Sequence, residues 1–215
     1  MPLSTTQNPN AVLKTMSAIV LAGGESKRFG SDKTRTDWGG RSLLSRVVTP
    51  LSGLFGEVVV VTRRPAGLAA LRRRGVRVVT DRFPEPHPMG GILTGLEAAV
   101  WEYAFVCGGD MPFVSPALAT ALGEAAGGYG AAVPRWKGRL EPLCAVYTRR
   151  TCGVLRRLVA DKRLRLTDLL EIVPTRYLLE EEVAAVDPGG RSFIDIDTVA
   201  DRRRHGPPIQ PRRDP

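Results

Sequence analysis

Long apolar runs are missing from the 215-residue sequence. No stretch approaches the roughly 18 uninterrupted apolar residues that a membrane-spanning helix needs. The beginning of the chain also lacks the basic region and the apolar stretch of a signal peptide. We therefore expect a soluble, cytoplasmic protein that enters no membrane.

Cysteine and histidine are too few for a disulfide framework or for the common metal sites. The three cysteines, Cys107, Cys144 and Cys152, are odd in number and widely spaced, so we expect reduced thiols that are mostly buried. The two histidines, His87 and His205, lie far apart in the chain. They leave no histidine pair for metal ligation or for a catalytic triad.

Aromatic residues do not accompany the basic ones, although the net charge is +9. Almost half of the excess positive charge lies from residue 202 onward, and a further group of arginines lies between residues 63 and 77. Without aromatic side chains to stack on bases, these arginines are predicted to form a solvated face rather than a nucleic-acid site. Small anionic ligands remain compatible with this charge.

Short apolar, β-branched runs alternate with segments of helical pattern over the first two-thirds of the chain. Each run is apolar on both faces, as in a parallel strand that helices cover on either side. The sequence therefore predicts an α/β fold, a three-layer α/β/α Rossmann-like sandwich with a mostly parallel central sheet. The expected strands are 18–21, 58–61, 76–79, 103–107 and 131–133, and the expected helices are 42–51, 66–73, 91–101 and 116–126.

The last third of the chain has a looser pattern. It predicts a strand at 143–147 and helices at 149–159 and 166–171. The length suits one domain, which we expect over residues 16–205. The polar or proline-rich ends, 1–15 and 206–215, are expected to be disordered.

Near the end of that domain, residues 193–201 alternate polar and apolar side chains. The alternation predicts a strand with Asp195 and Asp197 on one face. Thr198 and Asp201 have the spacing of a capping box, which predicts that a final helix begins there.

A glycine-rich loop, LAGGESKRFGSDK, follows the first expected strand and runs from Leu21 to Lys33. Open α/β sheets bind ligands at this carboxyl end of a strand. Gly23 and Gly24 have no β-carbon, so main-chain N–H groups can approach a phosphate or a base. Arg28 and Lys33 supply positive charge for a triphosphate. The spacing matches neither GxGxxG nor GxxxxGK[ST], which excludes the dinucleotide-binding and P-loop classes.

This loop, LAGGxSxRxGxDK, resembles the signature of nucleotidyltransferases with a GT-A-like fold, and its double glycine is similar to that of the molybdenum cofactor guanylyltransferases. Cytidylyltransferase relatives usually have LAAG, so Gly24 favours guanine. The resemblance extends over residues 17–201 through VTDR at 79–82 and HPMGGILTGL at 87–96, which resembles GPLGGIxxGL. His87 replaces the expected glycine, and we interpret it as a tolerated loop substitution, with a ligand contact as the alternative.

The resemblance implies a set of site residues. Asp110, in FVCGGDMPF just past an expected strand, is implied to bind Mg²⁺, which suits a hard oxygen ligand. Arg28 and Lys33 are implied to act with it in catalysis. The implied nucleotide-binding residues are Leu21, Ala22, Gly23, Gly24, Lys33, Thr62, Asp81, Gly90 and Asp110.

Two departures from the family pattern concern the same site. Thr62 stands where the family often has asparagine, and its hydroxyl offers one donor rather than paired amide contacts. Asp195 and Asp197 stand where the guanylyltransferases commonly have asparagines, and they are candidates for a second metal site or for acceptor contacts. The tip formed by residues 136–138 either meets a pterin and its phosphate or is a plain turn.

The implied reaction is transfer of GMP from GTP to the phosphate of molybdenum-bound molybdopterin, with release of pyrophosphate. GTP and molybdopterin are then the substrates, and transient contact with proteins that deliver molybdopterin or mature molybdoenzymes is a further expectation. Two alternatives remain open. One is a cytidylyltransferase or another NTP transferase acting on a different phosphorylated acceptor. The other is a noncatalytic nucleotide-binding protein, which would not need Asp110.

Overall fold

The computed structural model describes residues 11–23, 41–83, 85 and 87–205. The strands in this part of the chain are β1 Ser17–Leu21, β2 Glu57–Thr62, β3 Arg77–Thr80, β4 Tyr103–Gly108, β5 Ala131–Trp136, β6 Arg139–Leu140, β7 Cys144–Thr148 and β8 Thr175–Leu178. The helices are α1 Leu43–Leu54, α2 Ala69–Arg72, α3 Pro88–Ala98, α4 Pro116–Ala125, α5 Cys152–Ala160, α6 Leu166–Ile172, α7 Glu180–Val186 and α8 Val199–His205.

The strands form one sheet in the order β3-β2-β1-β4-β7-β5-β6, and β8 pairs with β5. Strands β1 to β4 are parallel to one another, whereas β7 runs antiparallel to β4 and β5. Helices cover both faces of this sheet. The predicted three-layer α/β fold with a mostly parallel sheet is therefore confirmed.

Strand β1 shows why the sheet needs a helical layer on each side. Ala18 and Val20 are buried with α1 and α4 on one face, and Ile19 is buried with α3, α5 and α6 on the other. Full burial of a side chain such as valine or isoleucine stabilises the fold by roughly 1.5–3 kcal/mol. The apolar runs on which the strand predictions depended thus form two cores.

Helix α3 packs closely on β1. A β-carbon at Gly95 would stand 2.5 Å from Cγ2 of Ile19, and one at Gly91 would stand 3.1 Å from Cδ2 of Leu21. These two glycines allow the helix to pack directly on the strand. Their effect is to hold the start of α3 beside the carboxyl end of β1, where the site lies.

The predicted strand within residues 193–201 is wrong. Residues 191–193 form a 3-10 turn, and the segment that follows has no strand partner among the described residues. Its main chain instead bonds to a loop, because the N–H of Ile196 donates to the carbonyl of Asp110 at 2.9 Å. The predicted alternation of exposed and buried side chains is nevertheless present, since Asp195 and Asp197 are exposed and Ile196 is buried.

Other predictions from local sequence are confirmed. The side-chain hydroxyl and N–H of Thr198 both donate to the carboxylate of Asp201, whose own N–H donates back, so the predicted capping box is confirmed at α8. The three cysteines are unpaired and buried, as predicted. Over the described ranges, every helix is too short or too polar to span a bilayer.

Candidate functional site

The carboxyl ends of four parallel strands meet at one edge of the sheet. The N–H of Ala22 donates to Val61 at 2.8 Å, and the N–H of Gly109 donates to Leu21 at 2.9 Å. The pairing of β1 with β2 and with β4 therefore continues into the loops that follow. After β3 the chain crosses to the other side of β1, which makes this edge the topological switch point where such sheets bind ligands.

A first chamber of about 380 Å³ opens at this edge. It brings together four residues that the sequence analysis assigned to the site, Leu21, Gly23, Asp81 and Asp110. The start of α3 and the chain just before β7 complete its walls. The remaining residues that line it are Val61, His87, Pro88, Gly91, Gly108 and Leu143.

Asp110 is half-buried in a tight turn after β4. The N–H of Gly108 donates to the sulfur of Met111 at 3.2 Å, and the N–H of Met111 donates back to the carbonyl of Gly108 at 3.3 Å. A β-carbon at Gly108 would stand 2.3 Å from Oδ1 of Asp110. Glycine at position 108 is therefore what leaves room for the carboxylate.

Asp81 follows the end of β3 and lines the first chamber together with Asp110. Its Oδ1 accepts a hydrogen bond from the N–H of Phe83 at 3.1 Å and a longer one from the hydroxyl of Thr94 at 3.4 Å. These bonds fix one carboxylate oxygen. The other, Oδ2, lies beside Gly91 at the start of α3.

Thr62 and Gly90 do not line the first chamber, although their neighbours in sequence Val61 and Gly91 do, and their polar groups are already bonded. The hydroxyl of Thr62 donates to the carbonyl of Ala22 at 3.0 Å and accepts from the N–H of Arg64 at 3.1 Å. The N–H of Gly90 donates to Nδ1 of His87 at 2.9 Å. In this conformation both residues shape the site rather than offer it donors.

His87 has a structural role that its interpretation as a loop substitution did not include. It is the N-cap of α3, where its ring nitrogen accepts from the third residue of the helix. The ring also lines the first chamber. His87 therefore closes the helix end that a glycine in the same place would leave open.

A second chamber of about 480 Å³ adjoins the first and shares Pro88, Gly108, Asp110 and Leu143 with it. Asp195 lines this second chamber, whereas Asp197 lines neither. The main-chain N–H of Asp197 donates to Asp201 at the start of α8. The structure thus separates the two aspartates that the sequence analysis treated as a pair.

The sequence analysis missed three charged residues that the fold brings to the site. Arg63, assigned to a solvated face, donates from its guanidinium to the carbonyl of Gly23 at 3.1 Å. Glu141 and Arg165 line the second chamber. Burial raises the pKa of the Glu141 carboxyl, although Arg139 acts in the opposite direction. A basic residue directly after β2 was the one signal that could have identified Arg63.

The tip at residues 136–138 is a turn. Lys137 and Gly138 have φ angles of 48° and 74°. The ring of Trp136 packs against Phe193, with centroids 6.0 Å apart, and against Gly190. These contacts tie the tip to the C-terminal segment. Gly24, Arg28 and Lys33 lie outside the described residues.

Comparisons with known proteins identify similar sequences. The family model described as the MobA-like NTP transferase domain matches residues 18–176. A probable molybdenum cofactor guanylyltransferase of Methanosarcina acetivorans is 34% identical over 199 residues, covering 87% of this chain and 88% of the relative. The molybdenum cofactor guanylyltransferase of Desulfosudis oleivorans is 34% identical over 188 residues, covering 86% and 92%.

A solved structure is also similar. The crystal structure of molybdopterin-guanine dinucleotide biosynthesis protein A from Archaeoglobus fulgidus superposes with a TM-score of 0.76 at 27% sequence identity. The match covers 88% of this chain and 96% of that one. The similarity therefore extends over most of the fold.

Proposed function

The chain belongs to the MobA-like NTP transferase family, and from that premise we propose that it transfers GMP from GTP to molybdenum-bound molybdopterin. An oxygen of the terminal phosphate of molybdopterin attacks the α-phosphorus of GTP. The bond from the α-phosphorus to the bridging oxygen breaks, and pyrophosphate leaves. The products are the guanine dinucleotide form of the cofactor and pyrophosphate.

The observation that carries this proposal is the position of Asp110 between two chambers. A transfer between two substrates needs each of them held separately, with their reacting atoms brought together at one point. The first chamber, beside the glycine-rich loop, suits the nucleotide. The second suits the acceptor, and Asp110 belongs to the walls of both.

Positioning and charge neutralisation are what this reaction asks of the protein, because the attacking phosphate is already ionised. We assign the base and ribose to the main chain of Leu21 to Gly24 and the triphosphate to Arg28 and Lys33. Asp81 and the start of α3 also line the nucleotide chamber.

The residues present suit Mg²⁺. Asp110 and Asp195, which carry carboxylate oxygens, line the same chamber, and the missing β-carbon at Gly108 leaves the Asp110 carboxylate its space. Among the described residues there is no group of three or more histidine, cysteine or acidic side chains that could form a metal cage. Mg²⁺ commonly binds through one or two carboxylates together with substrate phosphates. When bound, it would offset charge on the phosphate oxygens.

Pyrophosphate release tests the proposal directly. The purified protein is supplied with molybdenum-loaded molybdopterin and with each of the four NTPs in turn, and the dinucleotide product is identified by mass. We expect GTP to be preferred over CTP and ATP. Preference for CTP would favour the cytidylyltransferase alternative, to which Asp195 and Asp197 point. Nucleotide binding without pyrophosphate release would favour the noncatalytic alternative.

The base preference has its own test at Gly24. Glycine leaves space beside the first loop where an alanine methyl would stand, so Gly24→Ala should reduce the preference for GTP more than it reduces total nucleotide binding. Competition among the four NTPs measures both quantities. An unchanged preference would remove Gly24 from the determinants of base choice.

A further inference from the structure

Glu141 is held rigidly at the wall of the second chamber. Its N–H donates to the carbonyl of Pro134 at 3.0 Å, and its carbonyl accepts from the N–H of Cys144 at 3.0 Å. The residue that follows is fixed as well, because the hydroxyl of Tyr147 donates to the carbonyl of Pro142 at 2.8 Å. The main chain that carries the Glu141 carboxylate is thus bonded on both sides before any ligand arrives.

The carboxylate itself makes no hydrogen bond or ion pair with any residue that the structure describes. Glu57, an acid of comparable burial, differs in this respect, since it accepts bonds from Ser17, Arg77 and Val100. The carboxylate oxygens of Glu141 are not among the buried polar atoms without a partner in the described residues, so they remain accessible to a ligand. A half-buried, rigid carboxylate on a chamber wall is therefore suited to a ligand that supplies the donors.

The chamber restricts which ligand that can be. Among its described lining residues are three carboxylates, of Asp110, Glu141 and Asp195, and one arginine, Arg165. Glu141 would repel a phosphate, so the part of a ligand that it binds must carry hydrogen-bond donors or positive charge. Apolar side chains of Met111, Leu143 and several neighbours line the same chamber. Apolar walls of this kind suit a flat ring.

We propose that Glu141 recognises the acceptor, accepting two parallel hydrogen bonds from a ring N–H and an adjacent amino group on a planar heterocycle. The inference rests on the proposed function, because the amino-pyrimidinone edge of a pterin carries this pair of donors. Two coplanar carboxylate oxygens match two adjacent donors, as they do in bidentate pairs with arginine. Glu141 is thus a specificity determinant for the acceptor and takes no part in the phosphate chemistry.

Guanine presents the same pair of donors, so the position of Glu141 decides between the two substrates. Glu141 lines the second chamber and is not among the described residues that line the first. The first chamber is the one that adjoins Leu21 and Gly23. The ring that Glu141 reads is therefore that of the acceptor.

The test uses pterin and lumazine, in which a carbonyl replaces the amino group. Fluorescence titration of the full-length protein should show pterin binding at least about tenfold more tightly than lumazine, since a mispaired buried polar group typically weakens binding by that factor. In Glu141→Gln the ratio of the affinities for pterin and lumazine should fall below about threefold, because the amide retains a single acceptor oxygen. GTP affinity should not change.

Glu171→Gln, on an exposed position of α6, is the matched control and should keep the full discrimination. Equal wild-type affinity for the two compounds, binding of neither, or discrimination that survives in Glu141→Gln would overturn the proposal. A loss of GTP affinity in place of pterin affinity would also overturn it and would assign the carboxylate to guanine. The comparison of pterin with lumazine in the wild-type protein does not depend on whether the Glu141→Gln variant folds. Pterin discrimination without GMP transfer would refute the proposed function alone.

Discussion

The main-chain N–H of Ile196 donates to the carbonyl of Asp110 at 2.9 Å, which joins the C-terminal segment to the turn that carries the carboxylate. The side chain of Ile196 is buried with Leu43 and packs against Phe113. The main chain of Ile196 therefore bonds to the Asp110 turn, while its buried side chain holds Ile196 in place. The geometry of Asp110 depends on a part of the chain far from it in sequence.

Ile196→Ala should destabilise the protein by about 2–5 kcal/mol, the usual cost of emptying a buried isoleucine site. It should also lower the transfer rate in conditions where the protein remains folded, because the Asp110 turn loses its support. Urea unfolding and pyrophosphate release measure the two effects. Ile172→Ala, at a half-exposed position of α6, is the control and should change neither appreciably. Full activity in folded Ile196→Ala would refute the supporting role.

The sequence predicted this segment as a strand because alternation is the same signal whether or not a neighbouring strand is present. Such a segment becomes a strand only if a neighbouring strand pairs with it, and here the main chain of Ile196 bonds to a loop instead. Strand β8 and helix α7 were not predicted, since β8 has four residues and pairs with β5 across a long sequence separation. The strands β1, β2 and β4 were predictable because each is buried on both faces.

The residues of the candidate site also fall into two groups, those whose place could be predicted from the sequence and those whose place could not. Asp110, Asp81 and the glycine-rich loop follow strands, so their meeting at one edge of the sheet could be predicted from element order. Glu141 and Arg165 follow no such rule. They reach the second chamber because β7 runs antiparallel to β4 and because the start of α6 lies at the same chamber, which are tertiary facts that no local pattern encodes.

Gly108→Ala should impair catalysis more than folding. The added β-carbon would stand 2.3 Å from Oδ1 of Asp110, so the carboxylate must leave its position. We expect the transfer rate to fall at least about tenfold, since misplacement by about 1 Å can cost a hundredfold. Gly153→Ala is the matched control, because a β-carbon at Gly153 meets nothing within 4 Å. A Gly108→Ala enzyme with wild-type turnover would show that Asp110 acts from another position.

Asp110→Asn should reduce the rate of pyrophosphate release to less than about a tenth of the wild-type rate, because the change removes a charge that a metal-assisted transfer needs. The amide is almost the same size, so thermal unfolding should be nearly unchanged. Asp161→Asn, at an exposed position after α5, serves as the control for loss of one negative charge. Retention of more than about a tenth of the rate would exclude Asp110 as the metal ligand.

Glu57 gives the fold a dependence on pH. Its carboxylate accepts from the hydroxyl of Ser17 at 2.7 Å, from the N–H of Val100 at 3.0 Å and from Arg77 at 2.5 Å. Burial acts to raise the pKa of Glu57, but the hydrogen bonds from Val100, Ser17 and Arg77 outweigh it, and the pKa lies below its ordinary value. A lowered pKa in the folded state means that the charged form stabilises the fold.

This contribution should be complete above the pKa of the unfolded chain, about 4.3, and should be lost as the pH falls through the lower folded value. Glu57→Gln should therefore lower the free energy of unfolding at pH 7 by about 1–3 kcal/mol, and the gap from wild type should narrow below about pH 4. Urea unfolding of both proteins from about pH 3 to pH 7 measures this difference in the free energy of unfolding. Glu182→Gln, whose side chain is 42% exposed against 8% for Glu57, should show a smaller gap throughout. A gap for Glu57→Gln that stays constant down to pH 3 would mean that shape, and not charge, is what Glu57 contributes.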